Sequence, residues 1–472
     1  MIAKYSSSRI IRQLLSVITT FLQPKLLSPD LFGLWTLLKI IPSYAGYLHF
    51  GSRTAMRFLI PQHQERGEYE KVAEIKNTVF TASLVLHLVA GFILILLSLL
   101  TGWHTATRVG LACMAFIILL QFFFEFYISN LKAEENFQSI SRSNYIFSLA
   151  SFLFSITLLY FFRIYGLFAA IILTYIVVIY YFYRSYRMEI CVRFEKNIFV
   201  DLLQQGSPVM LTNLIILLIM TSDRFIVSWM LGQSSLGHYG IAILLLSFLM
   251  NVPGAAMEVL EPQLMRELRQ ANRTEMSIKY LIKPMNKMLY FLPLAIGASY
   301  LSMPLFIYIF LPRYSEGIKA AQILLFGAYF LALSHPPRNL IIAFSLQKKA
   351  LSYLPLIFLF NVILSILLIR LGYGIEGVAV SSTVSFALIP ASQLLIMKNF
   401  LPSRMIDSGR YYGSLMLPPA VLLLLLYCCS SIFAQYQSSI WSCLGSLATS
   451  LIILFIVQQI LQNLVLQPYE RS

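Results

Sequence analysis

The chain has 472 residues, of which 58% are hydrophobic and only 12% charged, and it carries a formal net charge of +15. That balance describes an integral membrane protein and leaves no polar stretch long enough to fold as a soluble domain. The five cysteines, Cys113, Cys191, Cys428, Cys429 and Cys443, lie mostly in apolar runs without metal-ligand spacing, so they read as small packing residues, not disulfides or ligands.

Apolar runs with room for about 20 residues each fall at 10–27, 32–60, 78–100, 109–131, 145–162 and 164–183. They continue at 206–231, 236–260, 285–311, 318–344, 351–371 and 375–397, then at 413–433 and 440–465. This predicts an all-α integral membrane protein of about 14 transmembrane helices. The first run is the shortest, interrupted by Arg12 and Pro24. The N-terminal stretch lacks a small-residue cleavage site and reads as the start of a helix, not a signal peptide.

Loop charge sets the orientation. With the N-terminus inside, cytoplasmic loops hold Arg66, Lys71, Lys76, Lys132, Arg142, Arg184, Arg187, Arg193 and Lys196 in the first half alone. The opposite loops hold little beyond Arg108, Arg163, Arg313, Lys319 and Arg370. The bias is roughly fourfold and predicts both termini in the cytoplasm of a multi-pass protein. It also accounts for the net charge, so nucleic acid is not an expected partner.

The segment 32–61 carries the most unusual chemistry. Read as one continuous helix, it gathers Lys39, Ser43, Gly46, Arg53 and Arg57 into an arc of roughly 80°, with His49 beside it. A charge at mid-bilayer costs roughly 2.5–3.5 kcal/mol, so such a stripe should face a wet cavity or a partner. For Arg57 a second reading stays open, a side chain that snorkels to the interface.

The chain repeats itself at an interval of about 200 residues. Leu26–Trp35 corresponds to Met230–Tyr239, each placing a glycine, Gly33 or Gly237, two positions before an aromatic; Pro61–Gln62 corresponds to Pro262–Gln263, and Tyr165–Gly166 to Tyr373–Gly374. Six helices per copy predict parallel repeats related by an axis along the membrane normal. The expected organisation is a six-helix lobe at 1–197, a second at 198–400, and two additional helices at 401–472, with a central cavity between the lobes. In this alignment Arg57 falls opposite Glu258, and Glu261 shares a face with Glu258. These three are candidate gate residues; Glu258 and Glu261 read equally as markers of the water interface.

Asp223 and Arg224 are adjacent within an apolar run, and neighbours on a helix do not face one another. At least one should face a cavity or another helix. His335–Pro336–Pro337–Arg338–Asn339 should break its helix, because two prolines remove two backbone donors, and Arg338 is a further cavity candidate. Glu125, a carboxylate among aromatics, reads as one side of an interhelical hydrogen bond, with a proton-coupled site as the alternative. His49 and His87 have no metal spacing. No Walker A, HExxH or GxSxG motif occurs, and the short external loops offer no place for a catalytic domain.

The opening segment, LLSPDLFGLW followed by HFGSRTAMRFLIPQHQERGEYEKV, resembles bacterial polysaccharide biosynthesis transporters, the flippases for O-antigen and capsule repeat units. SDRFIVSWMLGQSSLGHYGIA resembles that family's seventh-helix segment, and the superfamily also includes multidrug antiporters and flippases of a lipid-linked peptidoglycan precursor. The resemblance implies two six-helix lobes around a cavity. It implies a non-enzymatic protein of the cytoplasmic (inner) membrane without cofactor or metal, surrounded by membrane lipids. It further implies a polyprenyl-pyrophosphate-linked oligosaccharide as substrate for surface polysaccharide synthesis, moved by alternating access. A coupling ion, H+ or Na+, and a polysaccharide polymerase complex are expected partners. On that basis Lys39, Arg53, Arg57, Asp223, Arg224 and Arg338 are the expected cavity-lining residues. A cation-coupled antiporter and a membrane enzyme of polysaccharide assembly are the competing expectations.

Overall fold

The computed structural model describes residues 15–16, 18–134, 136–186, 190–268, 272–401 and 419–422. Among these residues every regular element is helical, as expected where lipid leaves no partner for an open strand edge. Eight described helices are long and apolar enough to cross a membrane. The expected spans at 413–433 and 440–465 lie largely outside the described residues.

The chain divides into two units, Met1–Gly237 and His238–Ser472. In the first, α1 (Pro29–Leu38), α2 (Ile40–Ala45) and α3 (Ser52–Glu65) lead into α4 (Tyr69–Leu100) and α5 (Thr105–Ala133). Next comes α6 (Phe137–Ser185), then α7 (Lys196–Glu267), whose first limb belongs to this unit. α6 turns at Arg163 (φ 52°) and α7 at Gly232 (φ 87°). Each is therefore two limbs, matching the paired apolar runs read from the sequence.

α1 begins where its residues dictate. The Ser28 hydroxyl accepts from the Leu31 amide and Pro29 occupies the first turn, a cap followed by a residue whose missing N–H costs nothing there. Trp35 anchors the helix: it is 2% exposed, and its Nε1 donates to Gln23 Oε1 at 2.9 Å. Gly33 permits a close backbone approach, since a Cβ there would overlap the Gln233 carbonyl oxygen. A Cβ at Gly237 would likewise overlap the Pro29 carbonyl. The two glycines matched by the internal repeat thus meet each other's segments directly.

The expectation of one continuous helix across 32–60 is overturned. Pro42 cannot donate to the carbonyl of Leu38, and the helix yields at Lys39. A turn over residues 46–51 follows, with Phe50 at φ 47° and Gly51 at φ 98°. Gly51 is required there twice over, for its left-handed backbone and because a Cβ would collide with Gly206 and Ser207 of α7.

The second unit holds the second limb of α7 from His238 onward, then α8 (Arg273–Ser277) and a π-helical turn (Ile278–Ile282). It continues through α9 (Lys283–Phe310), α10 (Ile318–Leu333), α11 (His335–Ala343), α12 (Gln347–Arg370) and α13 (Gly374–Met397). The expected break at the proline pair is present: α10 ends at Leu333, and Pro336 and Pro337 stand in the first turn of α11, where their absent donors are not needed. The Tyr373–Gly374 corner turns the chain between α12 and α13 with Gly372 at φ 90° and Gly374 at φ 51°.

Candidate functional site

Breaking the helix at two points separates the cations that a continuous helix would have aligned. Lys39 stays at the α1–α2 junction; Arg53 and Arg57 belong to α3. The result is two polar groups in the first unit, one on each side of the 46–51 turn.

The inner group is built around Arg53. Its Nη2 donates to the Gly46 carbonyl at 3.0 Å and pairs with Glu125 of α5. The other carboxylate oxygen, Oε1, accepts from Gln121 Nε2 at 2.6 Å. Glu125 is therefore not a lone carboxylate, and the expected interhelical bond takes the form of an ion pair. The Arg53 side chain is 11% exposed and that of Glu125 30%, so the wetter side of the pair is the carboxylate. A guanidinium this shielded needs such a partner, since an uncompensated buried charge costs several kcal/mol, typically about 3–5.

The turn itself is fixed by local hydrogen bonds. The Gly51 amide donates to His49 Nδ1 at 2.9 Å, and Ser52 Oγ donates to the His49 carbonyl at 2.7 Å. His49 and Ser52 are buried. On α4, His87 meets the Ser83 carbonyl at 2.7 Å and packs on the Phe122 ring with centroids 5.0 Å apart. Both histidines are thus held by backbone groups. Arg57 is exposed and its charge reaches His49.

The outer group joins the α1–α2 junction to the first limb of α7. Tyr44 Oη and Thr221 Oγ1 lie 2.6 Å apart, and the Tyr44 ring packs on Phe225 at 6.3 Å. Lys39 is exposed and lies over the Trp35 ring, 5.8 Å from its centroid, an attraction of roughly 0.5–1 kcal/mol at an exposed site. The Arg224 charge acts on Lys39, and Arg224 Nε is buried without a hydrogen-bond partner. Asp223, 2% exposed, accepts from the Arg224 amide at 2.7 Å through Oδ1. Asp223 is thus buried and bonded to its neighbour's backbone, while the Arg224 side chain stays half-buried. Among the described residues, neither Lys39 nor Arg224 makes an ion pair.

Arg338 belongs to the second unit, on α11, where its charge acts on His335. The side chains of Glu258 and Glu261 lie outside the described residues. Gln121, Tyr44 and Thr221 were not singled out from the sequence. Gln121 had a signal, since it stands four residues before Glu125 and so on the same helix face; Tyr44 and Thr221 had none.

A third network lies where α4, α5 and the end of α6 meet. Lys76 Nζ donates to Glu134 Oε1 at 2.8 Å, Asn130 Nδ2 reaches the same oxygen at 3.1 Å, and the Tyr186 hydroxyl donates to Glu134 Oε2. Burial and the neighbouring carboxylate push the Tyr186 hydroxyl well above its ordinary range. The segment between α6 and α7 continues along α4: the Cys191 amide donates to Asn77 at 2.9 Å, the Arg193 carbonyl accepts from Thr81 at 3.1 Å, and the Glu195 amide donates to Thr78 at 3.3 Å.

The family described as polysaccharide biosynthesis protein matches residues 24–318. No curated protein matches the chain. Among solved structures, the lipid II flippase MurJ in its inward closed conformation is similar with a TM-score of 0.70 and 13% identity, covering 97% of this chain and 98% of that one. An inward-facing multidrug resistance MATE family transporter of the MOP superfamily gives 0.63 and 14%, covering 85% and 100%. The Vibrio cholerae MATE transporter VcmN gives 0.54 and 16%, covering 83% and 98%. At such identities the likeness concerns the fold, which does not by itself carry function.

Proposed function

Since the chain belongs to the polysaccharide biosynthesis protein family, we propose that it is a flippase for a polyprenyl-pyrophosphate-linked oligosaccharide repeat unit. It carries that unit from the cytoplasmic to the outer leaflet of the inner membrane by alternating access. The observation that carries this reading is the pair of cationic groups flanking the turn at 46–51: Arg53 on one side, Lys39 with Arg224 on the other. A pyrophosphate is a multivalent anion, and guanidinium groups bind phosphate oxygens through paired, charge-assisted hydrogen bonds. An anion crossing a low-dielectric region needs such a partner at more than one depth.

In this scheme Arg53, with the exposed Arg57 beside it, receives the pyrophosphate from the cytoplasmic side. Lys39 and Arg224 take it further out. Asp223 braces Arg224 through its backbone amide, and Arg338 lines the second lobe. The lobes are those expected at 1–197 and 198–400, Arg57 with Glu258 and Glu261 closes the inner gate, and H+ or Na+ supplies the drive. Both termini are cytoplasmic, and a polymerase takes the delivered unit.

The test is where lipid-linked oligosaccharide accumulates in a strain lacking the protein. Accumulation in the inner leaflet, relieved by the wild-type chain but not by an inserted Arg53→Ala/Arg57→Ala variant, is the expected result. Normal display on the outer leaflet without polymer would point to a downstream enzyme and overturn the reading. Altered drug susceptibility with intact surface glycan would point to an antiporter.

A further inference from the structure

The guanidinium placed to receive a phosphate already carries an anionic partner on one nitrogen, Nη2. Arg53 is paired with Glu125, and Glu125 is retained by Gln121 from one turn earlier on α5. Carboxylate and phosphate oxygens accept from the same guanidinium donors, so Glu125 Oε2 on Nη2 sits where a substrate oxygen would sit. Because Glu125 is the more exposed member of the pair, an anion arriving from water meets the carboxylate before it reaches Arg53.

Resting on the anion-transport reading above, we propose that Glu125 is a positioning residue that competes with the substrate anion for Arg53, so that carboxylate and phosphate take the guanidinium by turns. Three features of the site fit this exchange. Arg53 keeps its bond to the Gly46 carbonyl, 3.0 Å away, which holds the guanidinium in place while its anionic partner changes. Gln121 holds the opposite carboxylate oxygen, so Glu125 has a partner on its own helix when it leaves Arg53. The pair joins α3 to α5, so exchange also loosens the tie between the segment after the helix break and the body of the unit. The carboxylate's return to Arg53 expels the anion, and a site with a strong cationic ligand is thereby kept from trapping its cargo.

The experiment measures binding and release of farnesyl pyrophosphate by the full-length protein in lipid nanodiscs. Glu125→Gln preserves the shape of the side chain but removes the competing charge. It should bind the probe about fivefold more tightly, the weight of a partly exposed ion pair, and release it correspondingly more slowly, while supporting less surface glycan. A merely structural Glu125 would instead weaken binding when replaced. Gln121→Leu leaves the ion pair in place and frees Oε1 to join Oε2 on Arg53, so it should weaken probe binding by about threefold. It serves as the second variant should Glu125→Gln fail to fold. Unchanged or weaker binding by a folded Glu125→Gln protein, or tighter binding by Gln121→Leu, overturns the competition while leaving the flippase reading standing. Absence of probe binding by wild type and variants alike overturns both.

Discussion

The inner and outer polar groups of the first unit lie on the same interrupted segment, yet they handle charge in opposite ways. At the inner one the cation is shielded and matched: Arg53 has a carboxylate from α5 and a carbonyl from the turn. At the outer one two cations share a neighbourhood without an ion pair among the described residues, one lying on an indole face and the other with a buried, unpartnered Nε. A matched pair is stable at rest and must be opened to act. Two cations with the single carboxylate of Asp223 beside them keep one positive charge unmatched at rest, which an anion relieves. In the proposed transport cycle the first property suits a selective entry and the second a transient relay, and each can be tested by making one group resemble the other.

The largest expected effect comes from removing the inner cation. Arg53→Ala leaves Glu125 without its counter-ion and the proposed anion without its ligand; translocation should fall about a hundredfold or more, the scale of a lost charged hydrogen bond plus an orphaned partner. The measurement is rate of surface glycan appearance in a complemented deletion strain, normalised to protein in the membrane. A rate equal to wild type would erase the distinction between the groups. Next in size is the frame that separates them. Gly51→Val combines a strained left-handed backbone with overlap of α7 and should destabilise the unit by about 2–4 kcal/mol, seen as a lowered unfolding temperature in detergent. Lys39→Ala or Arg224→Ala should each cost about tenfold in rate, with no loss of stability, because each relieves repulsion as it removes a ligand. A stability loss in either would show that the outer group is structural. The smallest effect belongs to Tyr44→Phe, which deletes the bond to Thr221; about 1 kcal/mol of stability and a rate within about threefold of wild type are expected.

Much of the fold was legible because lipid enforces simple rules. Apolar runs marked the limbs of α6 and α7, and the turns fell at Arg163 and Gly232, between the runs expected. The proline pair marked the α10–α11 break, whereas the start of α1 at Pro29 fell three residues before the expected run. The break at 46–51 was not read from the sequence. The run around it is long and apolar enough to pass for one span, and the bonds that hold the turn, at His49, Gly51 and Ser52, form only once the chain has bent; the room for Gly51 against Gly206 depends on a segment far along the chain. The site suffered accordingly. Arg53, Lys39 and Arg224 were recognisable as charges out of place, but the false continuity of the helix put Lys39 and Arg53 on one stripe. Glu125 was noticed as a carboxylate needing a partner; which partner depended on the turn that the sequence hid.

The contact of Gly51 with Gly206 also has a consequence for biogenesis. Chain growth delivers the turn to the membrane long before α7 exists, so until then the bend that carries Arg53 has only its local bonds at His49, Gly51 and Ser52 and lacks the packing of Gly206. The strap along α4, fastened at Asn77, Thr78 and Thr81, leads straight into α7 and sets where that helix enters. Insertion of α7 is therefore expected to complete the first unit. A nascent chain released before Gly206 is expected to be a substrate for membrane quality control, whereas one released after Gly237 already holds both charge groups.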